Sequence, residues 1–506
     1  MWHVLPLAVL FIVVAPAAAD LPVHCLRHQL LGRWHFFLGP AQKERSSCGH
    51  ARPDVAERQP PLTLVQNTSL KEVELLDPNV VHSAQQRGHW TMIYDEAFEV
   101  NVDGLSFLAF SRFELLNDSD GEKQQNVSHC GETQVGWYRN DAGTSWGCFY
   151  AKKLDPVPVE EPLHKARAKS ESLVVPLATE EHHSFVSTVN LIQDFWKATV
   201  YERFLGKTLQ ELNRMAGIFR PFTRAKSREA DPSFGSGIPS FLQRARAKSK
   251  AVKGRRPLPT QWDWRNVSGR NFLDDVIDQG SCGSCYMVAT THMLAARHRI
   301  KTDPNFEGFS FNFPLFCSEY NQGCDGGYAF LAAKWASDVG LVPKSCSAED
   351  PEGLKTTCTL TCSVANLTKS WRAVNHHYVG GYYGAASEEE MKRELVEDGP
   401  LVVSFEPQRD LMYYSGGIYS SSAHSRGEWE PVDHAVLLVG YGSENGRKYW
   451  LLQNSWGSDW GEAGYMRMHR GVDESGIESI AEAATVEEIR HEGGGATSLL
   501  QFAAQL

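Results

Sequence analysis

The stretch Gln279-Gly280-Ser281-Cys282-Gly283-Ser284-Cys285-Tyr286 places two cysteines three residues apart. One reads as a nucleophile and the other as half of a disulfide. From Cys285 to Ile300 there is no Pro or Gly, and apolar and polar residues alternate between faces. A helix is therefore expected to begin at Cys285. The orphan N–H groups at a helix start stabilise an anion, and a cysteine placed there has a depressed pKa and reacts as a thiolate. For a lone cysteine, a buried structural role would be the better reading. Here His434 opens the apolar run Ala435 to Gly440, and Asn454 ends the run Tyr449 to Gln453. A thiolate at Cys285 attacks a peptide carbonyl, and an imidazolium at His434 protonates the leaving amine. Asn454 orients the imidazole through its second ring nitrogen. Gln279, with the Cys285 backbone N–H, donates to the developing oxyanion. His434 follows Cys285 by roughly 150 residues, a spacing that thiol peptidases use.

The elements that must position these groups lie in a chain of 506 residues, long enough for more than one core. A net charge of −11 argues against nucleic acid as a general partner. Residues 1–19 read as a signal peptide: the apolar run Val4 to Pro16 is followed by Ala17-Ala18-Ala19. The run is short for a membrane span, and no later stretch is long enough, so stable membrane insertion is not expected. A signal anchor is the alternative reading. Secretion permits disulfides. The 11 cysteines form an early group (Cys25, Cys48, Cys130, Cys148) and a late one (Cys282, Cys285, Cys317, Cys324, Cys346, Cys358, Cys362). An odd count leaves at least one thiol without an intrachain partner. No two Cys-x-x-Cys pairs face each other at ligand spacing, so no metal site is expected.

Residues 20–154 read as an all-β module, a closed barrel or sandwich. Trp34 to Leu38, His89 to Tyr94 and Phe98 to Val102 are strand-like, with a hairpin turn at Asp103-Gly104 into Leu105 to Leu115. Gln134 to Tyr138 and Ser145 to Tyr150 continue the pattern. Residues 155–257 read as a propeptide: helical periodicity runs from Ser184 to Ala216 through Val189, Ile192, Phe195, Val200 and Phe204. A basic linker from Arg244 to Arg256 follows. Such a run is usually a solvated segment, and ahead of a peptidase it reads as a site for activating proteases. Residues 258–485 form the second globular unit, and 486–506 a tail. Asn67, Asn117, Asn126, Asn266 and Asn366 head glycosylation sequons.

The box Cys282-Gly283-Ser284-Cys285-Tyr286, with Asn321 to Gly327, His377 to Gly381, Asn454 to Gly457 and Glu478 to Ala481, resembles the papain superfamily of cysteine peptidases. Over residues 20–484 the chain is similar to that superfamily's dipeptidyl peptidase branch, including the early β-module and the segment Asp20-Leu21-Pro22-Val23-His24-Cys25. The resemblance implies an α+β fold: a papain-like domain with a helical lobe and a β-rich lobe, preceded by a β-barrel exclusion domain that closes one end of the cleft. It implies that Asp20 binds the substrate's α-ammonium once the signal is removed, and that Gly326 and Gly327 line the substrate site. It implies chloride bound below the pocket for the substrate's second residue, at Tyr328, Phe330 and Tyr378; the first two are swapped in type relative to the family. It implies the disulfides Cys25–Cys130, Cys48–Cys148, Cys282–Cys324, Cys317–Cys358 and Cys346–Cys362, leaving Cys285 as the eleventh cysteine. It further implies a homotetramer, chain cleavage in the Ser420 to Glu430 loop (Arg426 being a candidate), and a lysosome, a secretory granule or export as the destination.

Three readings follow. The first is an exopeptidase that removes dipeptides from free N-termini. The second is a papain-like endopeptidase whose β-module only binds partners. The third, an inactive binding protein, is opposed by the intact set Gln279, Cys285, His434 and Asn454.

Overall fold

Asp103 and Gly104 both adopt positive φ (55° and 71°), the conformation that lets a two-residue turn follow the twist of its flanking strands. The turn joins β5 (Ala97–Val102) to β6 (Leu105–Asn117) in the N-terminal module of the computed structural model. The structure describes residues 25–50, 52–53, 68–117, 124–155, 178–208, 211–212, 215, 257–346, 358, 360, 369–421 and 434–490. The module's other strands are β1 (Gly32–Leu38), β2 (Ser69–Leu76), β3 (Val80–Ser83), β4 (Arg87–Ile93), β7 (Gln124–Thr133), β8 (Gly136–Asn140) and β9 (Trp146–Lys153). Eight antiparallel strands close a ring in the order β1-β2-β3-β4-β5-β6-β8-β9, and β9 pairs back onto β1. β7 pairs with the far half of β6 and touches β9. Closure removes the sheet edges. Trp34, Phe36, Trp90, Phe107 and Phe149 fill the interior and are fully buried, and the disulfides Cys25–Cys130 and Cys48–Cys148 fasten it. β2, β3 and β7 had no counterpart in the sequence reading: β3 is four residues long and β7 is largely polar.

The expected helix of the propeptide ends earlier than its periodicity predicts. α1 covers Thr179–Ile192, after which Trp196–Ala198 (β10) pairs antiparallel with β14 (Tyr414–Tyr419). Gln193 sets this break: its side chain accepts from the Trp196 N–H at 3.0 Å and donates to the Trp196 carbonyl at 2.8 Å. Ile192 and Phe195, expected on the apolar stripe, are exposed, whereas Val189 and Phe204 are buried as expected. Tertiary pairing to the sheet has overridden local periodicity.

The peptidase domain carries β11 (Trp262–Asp263), β12 (Lys369–Tyr378), β13 (Leu401–Phe405), β14, β15 (His434–Glu444), β16 (Arg447–Gln453), β17 (Tyr465–His469) and β18 (Ala481–Arg490). With β10 they form a sheet in the order β10-β14-β17-β16-β15-β13-β18-β12, and β11 pairs with β15. β18 pairs with β12 as far as Arg490↔Lys369, so residues 486–490 belong to the sheet and the expected tail begins later. α2 (Cys285–Lys301) packs against this sheet, and every residue from Cys285 to Arg299 is buried. The expected polar face therefore meets protein. Arg299 forks onto Asp274 at 2.9 Å, and Arg297 reaches Glu394 at 3.0 Å. α3 (Ala329–Asp338) packs on α2 and β12, and its Asp338 accepts from Arg139 of the barrel at 2.9 Å. One apolar cluster joins Trp34, Phe98 and Trp137 of the barrel to Tyr320, Trp335, Tyr378 and Ile480 of the peptidase domain.

Candidate active site

The nucleophile sits where the helix argument places it. Cys285 is the first residue of α2 and is 3% exposed. Its neighbour Cys282 is bridged to Cys324, and among the described residues Cys285 is the one cysteine outside a disulfide. Cys317–Cys358 is also formed. Cys346 is disulfide-bonded too, but its expected partner, Cys362, lies outside the described residues.

β15 and β16 form an antiparallel hairpin in which Leu437 faces Gln453. That register brings the start of β15 level with the residues just after β16. His434 Nε2–H donates to Asn454 Oδ1 at 2.8 Å, and the same oxygen accepts from the Ser455 N–H at 2.9 Å. An oxygen that accepts two N–H groups fixes the amide's orientation and hence the tautomer it selects. Nδ1 is thereby the ring nitrogen left for proton exchange with the thiol. The Trp456 indole stacks on the His434 ring at 4.9 Å, and Phe405 meets it edge-on at 5.6 Å. This packing covers the His–Asn hydrogen bond and holds the ring plane. Trp456 and Ser455 were visible in the sequence only as members of a motif; their contacts assign them positioning roles.

Gln279 is clamped from both ends. Its Oε1 accepts from the Ser455 hydroxyl at 2.5 Å, and its N–H donates to the Ser455 carbonyl at 2.9 Å. The side-chain NH₂ must then face the cleft. One of its hydrogens meets the Cys282 carbonyl at 2.8 Å, and the other meets the carbonyl of Met215 at 2.9 Å. Met215 belongs to the segment before the peptidase domain. Its carbonyl also accepts from the Trp456 indole at 3.1 Å, and both Met215 and Leu212 are buried. A side-chain amide has two N–H donors, and here both are taken. A substrate carbonyl can engage Gln279 only after Met215 withdraws. The sequence carried no signal for this contact beyond apolar residues in a helical pattern.

Gln279→Ala should lower kcat of the processed protein by about 10²–10³-fold, the usual cost of losing one oxyanion donor. KM should change little, because the contact strengthens only as charge develops. Steady-state kinetics on a dipeptide amide checks the split.

The two glycines expected at the substrate site are confined for different reasons. Gly326 has φ 120° and ψ −175°, a region essentially closed to other residues. At Gly327 a Cβ would lie 2.4 Å from Asn321 Oδ1, the oxygen that accepts from the Tyr328 N–H at 2.8 Å. Of the residues expected at chloride, Tyr328 donates its hydroxyl to Glu96 Oε1 at 2.5 Å and stacks on Tyr94 at 3.8 Å. Phe330 and Tyr378 stack at 4.5 Å, and among the described residues the buried Tyr378 hydroxyl finds no hydrogen-bond partner. Asn266 is exposed on a loop. Asp20, Arg426, Asn67, Asn366 and the basic linker lie outside the described residues, as do the side chains of Asn117 and Asn126. Among the described residues no His, Cys, Asp and Glu side chains gather as a metal site, and no helix is long and apolar enough to cross a membrane.

Residues 258–485 match the family described as papain family cysteine protease, and residues 20–153 match the cathepsin C exclusion domain. Cathepsin C of Schistosoma mansoni is 30% identical over 91% of this chain and 94% of its own length. The chain belongs to the cathepsin C branch of the papain family. A second relative, cathepsin B-like CP3 of Giardia intestinalis, is 30% identical over 58% of this chain and 91% of its own. Among solved structures, proCathepsin B S9 from Trypanosoma congolense is 26% identical, with a TM-score of 0.46 over 60% of this chain and 98% of that one. In this cysteine protease, Asn454 and Ser455 join His434 to Gln279, and Gln279 reaches the Cys282 carbonyl three residues before Cys285.

Proposed function

We propose that this cysteine protease is a dipeptidyl exopeptidase, cutting after the second residue of free N-termini. The observation that carries the reading is the position of the barrel. Tyr94, just after β4, donates to Ser404 Oγ of β13 at 3.3 Å and stacks at 3.8 Å on Tyr328, the neighbour of Gly327. A barrel side chain packed against the expected substrate site restricts how much polypeptide fits on the N-terminal side of the scissile bond. Next to Tyr94, the Asp95 carbonyl accepts from the Cys25 N–H at 2.7 Å, and Cys25 is bridged to Cys130. Asp20 is only five residues before Cys25, which supports its role as the carboxylate that meets the substrate's α-ammonium. Signal removal after Ala19 would then be part of making the site.

The Met215 contact supports synthesis as a zymogen that activating proteases open. A secretory route to a lysosome or granule, glycosylation at the sequons and a homotetramer complete the proposal.

N-terminal sequencing of the mature protein should find Asp20 first. A dipeptide amide with a free amine should be turned over, and its N-acetylated form should not. Asp20→Ala should cost about 10–100-fold in kcat/KM, the worth of one charge-assisted contact. Equal turnover of both substrates would show an endopeptidase whose barrel binds partners.

A further inference from the structure

Glu482 is a carboxylic acid inside a sheet, flanked by a strand on each side. It lies on β18 directly opposite Tyr378 of β12 on one side and Val402 of β13 on the other. Side chains of directly opposed residues point to the same face, so its carboxyl shares a face with the Tyr378 ring. It is 3% exposed. Among the described residues, no Lys, Arg or His side chain bears on it. The Phe330 amide and the Tyr94 hydroxyl are the groups that do, and neither carboxyl oxygen closes a well-formed hydrogen bond.

Two of the residues expected to hold chloride, Phe330 and Tyr378, are therefore neighbours of a buried acid. A chloride site needs N–H or O–H donors and open space. The donors exist, in the Phe330 amide and the Tyr378 hydroxyl, but the space beside them holds a carboxyl group. An anion added there would stand beside another acid in a buried site, and among the described residues no cation bears on it. The residues do not fit a bound halide.

We propose that Glu482 takes the place of the anion, so that this peptidase carries its own carboxyl group below the second-residue pocket and binds no chloride. The titratable groups around it are Tyr94 from the barrel and Tyr378 from β12. Tyr383 bears on both tyrosines, and Glu99 bears on Tyr378. Burial pushes the Glu482 carboxyl up to about 8. In acid it is a neutral group that fills the space, and above that range it is itself the anion. In both forms the carboxyl occupies the space that faces the Phe330 N–H and the Tyr378 ring.

The inference rests on placing this cluster at the family's anion position, and its test needs no substrate, so a failed dipeptide assay leaves the outcome readable. Full-length protein is melted in gluconate, chloride and bromide at matched ionic strength, and crystals are soaked in bromide. The unmodified chain should show the same Tm in all three salts and no anomalous peak near the Phe330 amide. Glu482→Ala opens the space and should gain about 2–4 °C in chloride over gluconate, as expected for a ligand binding well above its Kd in a protein of this size. Glu482→Gln keeps the space filled and should stay insensitive. A bromide peak between Phe330 and Tyr378 in the unmodified chain, or a halide-dependent Tm there, overturns the inference. So does a folded Glu482→Ala variant with no halide response. If that variant does not fold, the unmodified chain and Glu482→Gln still decide.

Discussion

Cys285→Ala should abolish peptide hydrolysis, lowering kcat by about 10⁶-fold in the processed protein, as loss of a nucleophile does in other covalent hydrolases. His434→Ala should lower it by a comparable factor, and the double variant should be little worse than either, because thiolate and imidazolium act as one unit. Among the described residues, the sulfur and hydroxyl nearest in the motifs are already engaged: Cys282 is bridged, and the hydroxyl of Ser455 is held by Gln279. The Cys285→Ala protein should fold normally, since the change removes one sulfur atom at the end of a helix whose remaining contacts are unchanged. Thiol-directed epoxide labelling checks the assignment: the unmodified processed chain should label at Cys285 and the variant should not label at all. Labelling elsewhere with retained turnover would remove Cys285 from the mechanism. Trp456→Ala should behave differently, losing the stacked cover of the His434–Asn454 hydrogen bond at 2.8 Å while the three reacting groups remain.

The catalytic residues were legible because each carries a local mark. Cys285 begins an uninterrupted helical stretch, and His434 and Asn454 stand at the ends of apolar strands that only a hairpin can bring together. The barrel was legible where its strands are aromatic or β-branched, as in Trp34 to Leu38, and illegible where they are polar, as in Gln124–Thr133. The early end of α1 was hidden because Gln193 stops it through hydrogen bonds to Trp196 and through a strand partner more than 200 residues away. Met215 was hidden for a stronger reason. Its role rests on a backbone carbonyl, which every residue has, so no residue type could announce it. Glu482 lies just after the motif Glu478 to Ala481. Its burial comes from pairing with Tyr378 and Val402, which the order of residues alone does not show.

Lys334→Met should destabilise the protein by about 3–5 kcal/mol, the usual cost of stranding buried partners of a lost ion. Its ammonium lies 2.8 and 2.9 Å from the two oxygens of Asp338 and 3.7 Å from Glu99. All three side chains are almost completely buried where α3 meets the barrel. The barrel answers with Arg139, 2.9 Å from Asp338, while His376 of β12 stands 3.2 Å from Glu99. Burial alone would push both carboxyls up. His376 and Lys334 outweigh it at Glu99, and Lys334, Arg139 and Arg45 outweigh it at Asp338, holding each at about 2. Carboxyls depressed in the folded state add stability above their unfolded pKa of about 4 and lose it as pH falls toward 2. The cluster therefore stays charged at the pH of an acidic compartment. Without Lys334 the two carboxyls titrate higher, so the acid-unfolding midpoint of Lys334→Met should move up, which urea melts across the acid range would detect. If barrel docking is what limits cleavage to free N-termini, the same variant should also gain turnover of the N-acetylated dipeptide amide. A stability loss with unchanged substrate discrimination would separate the ion cluster from specificity.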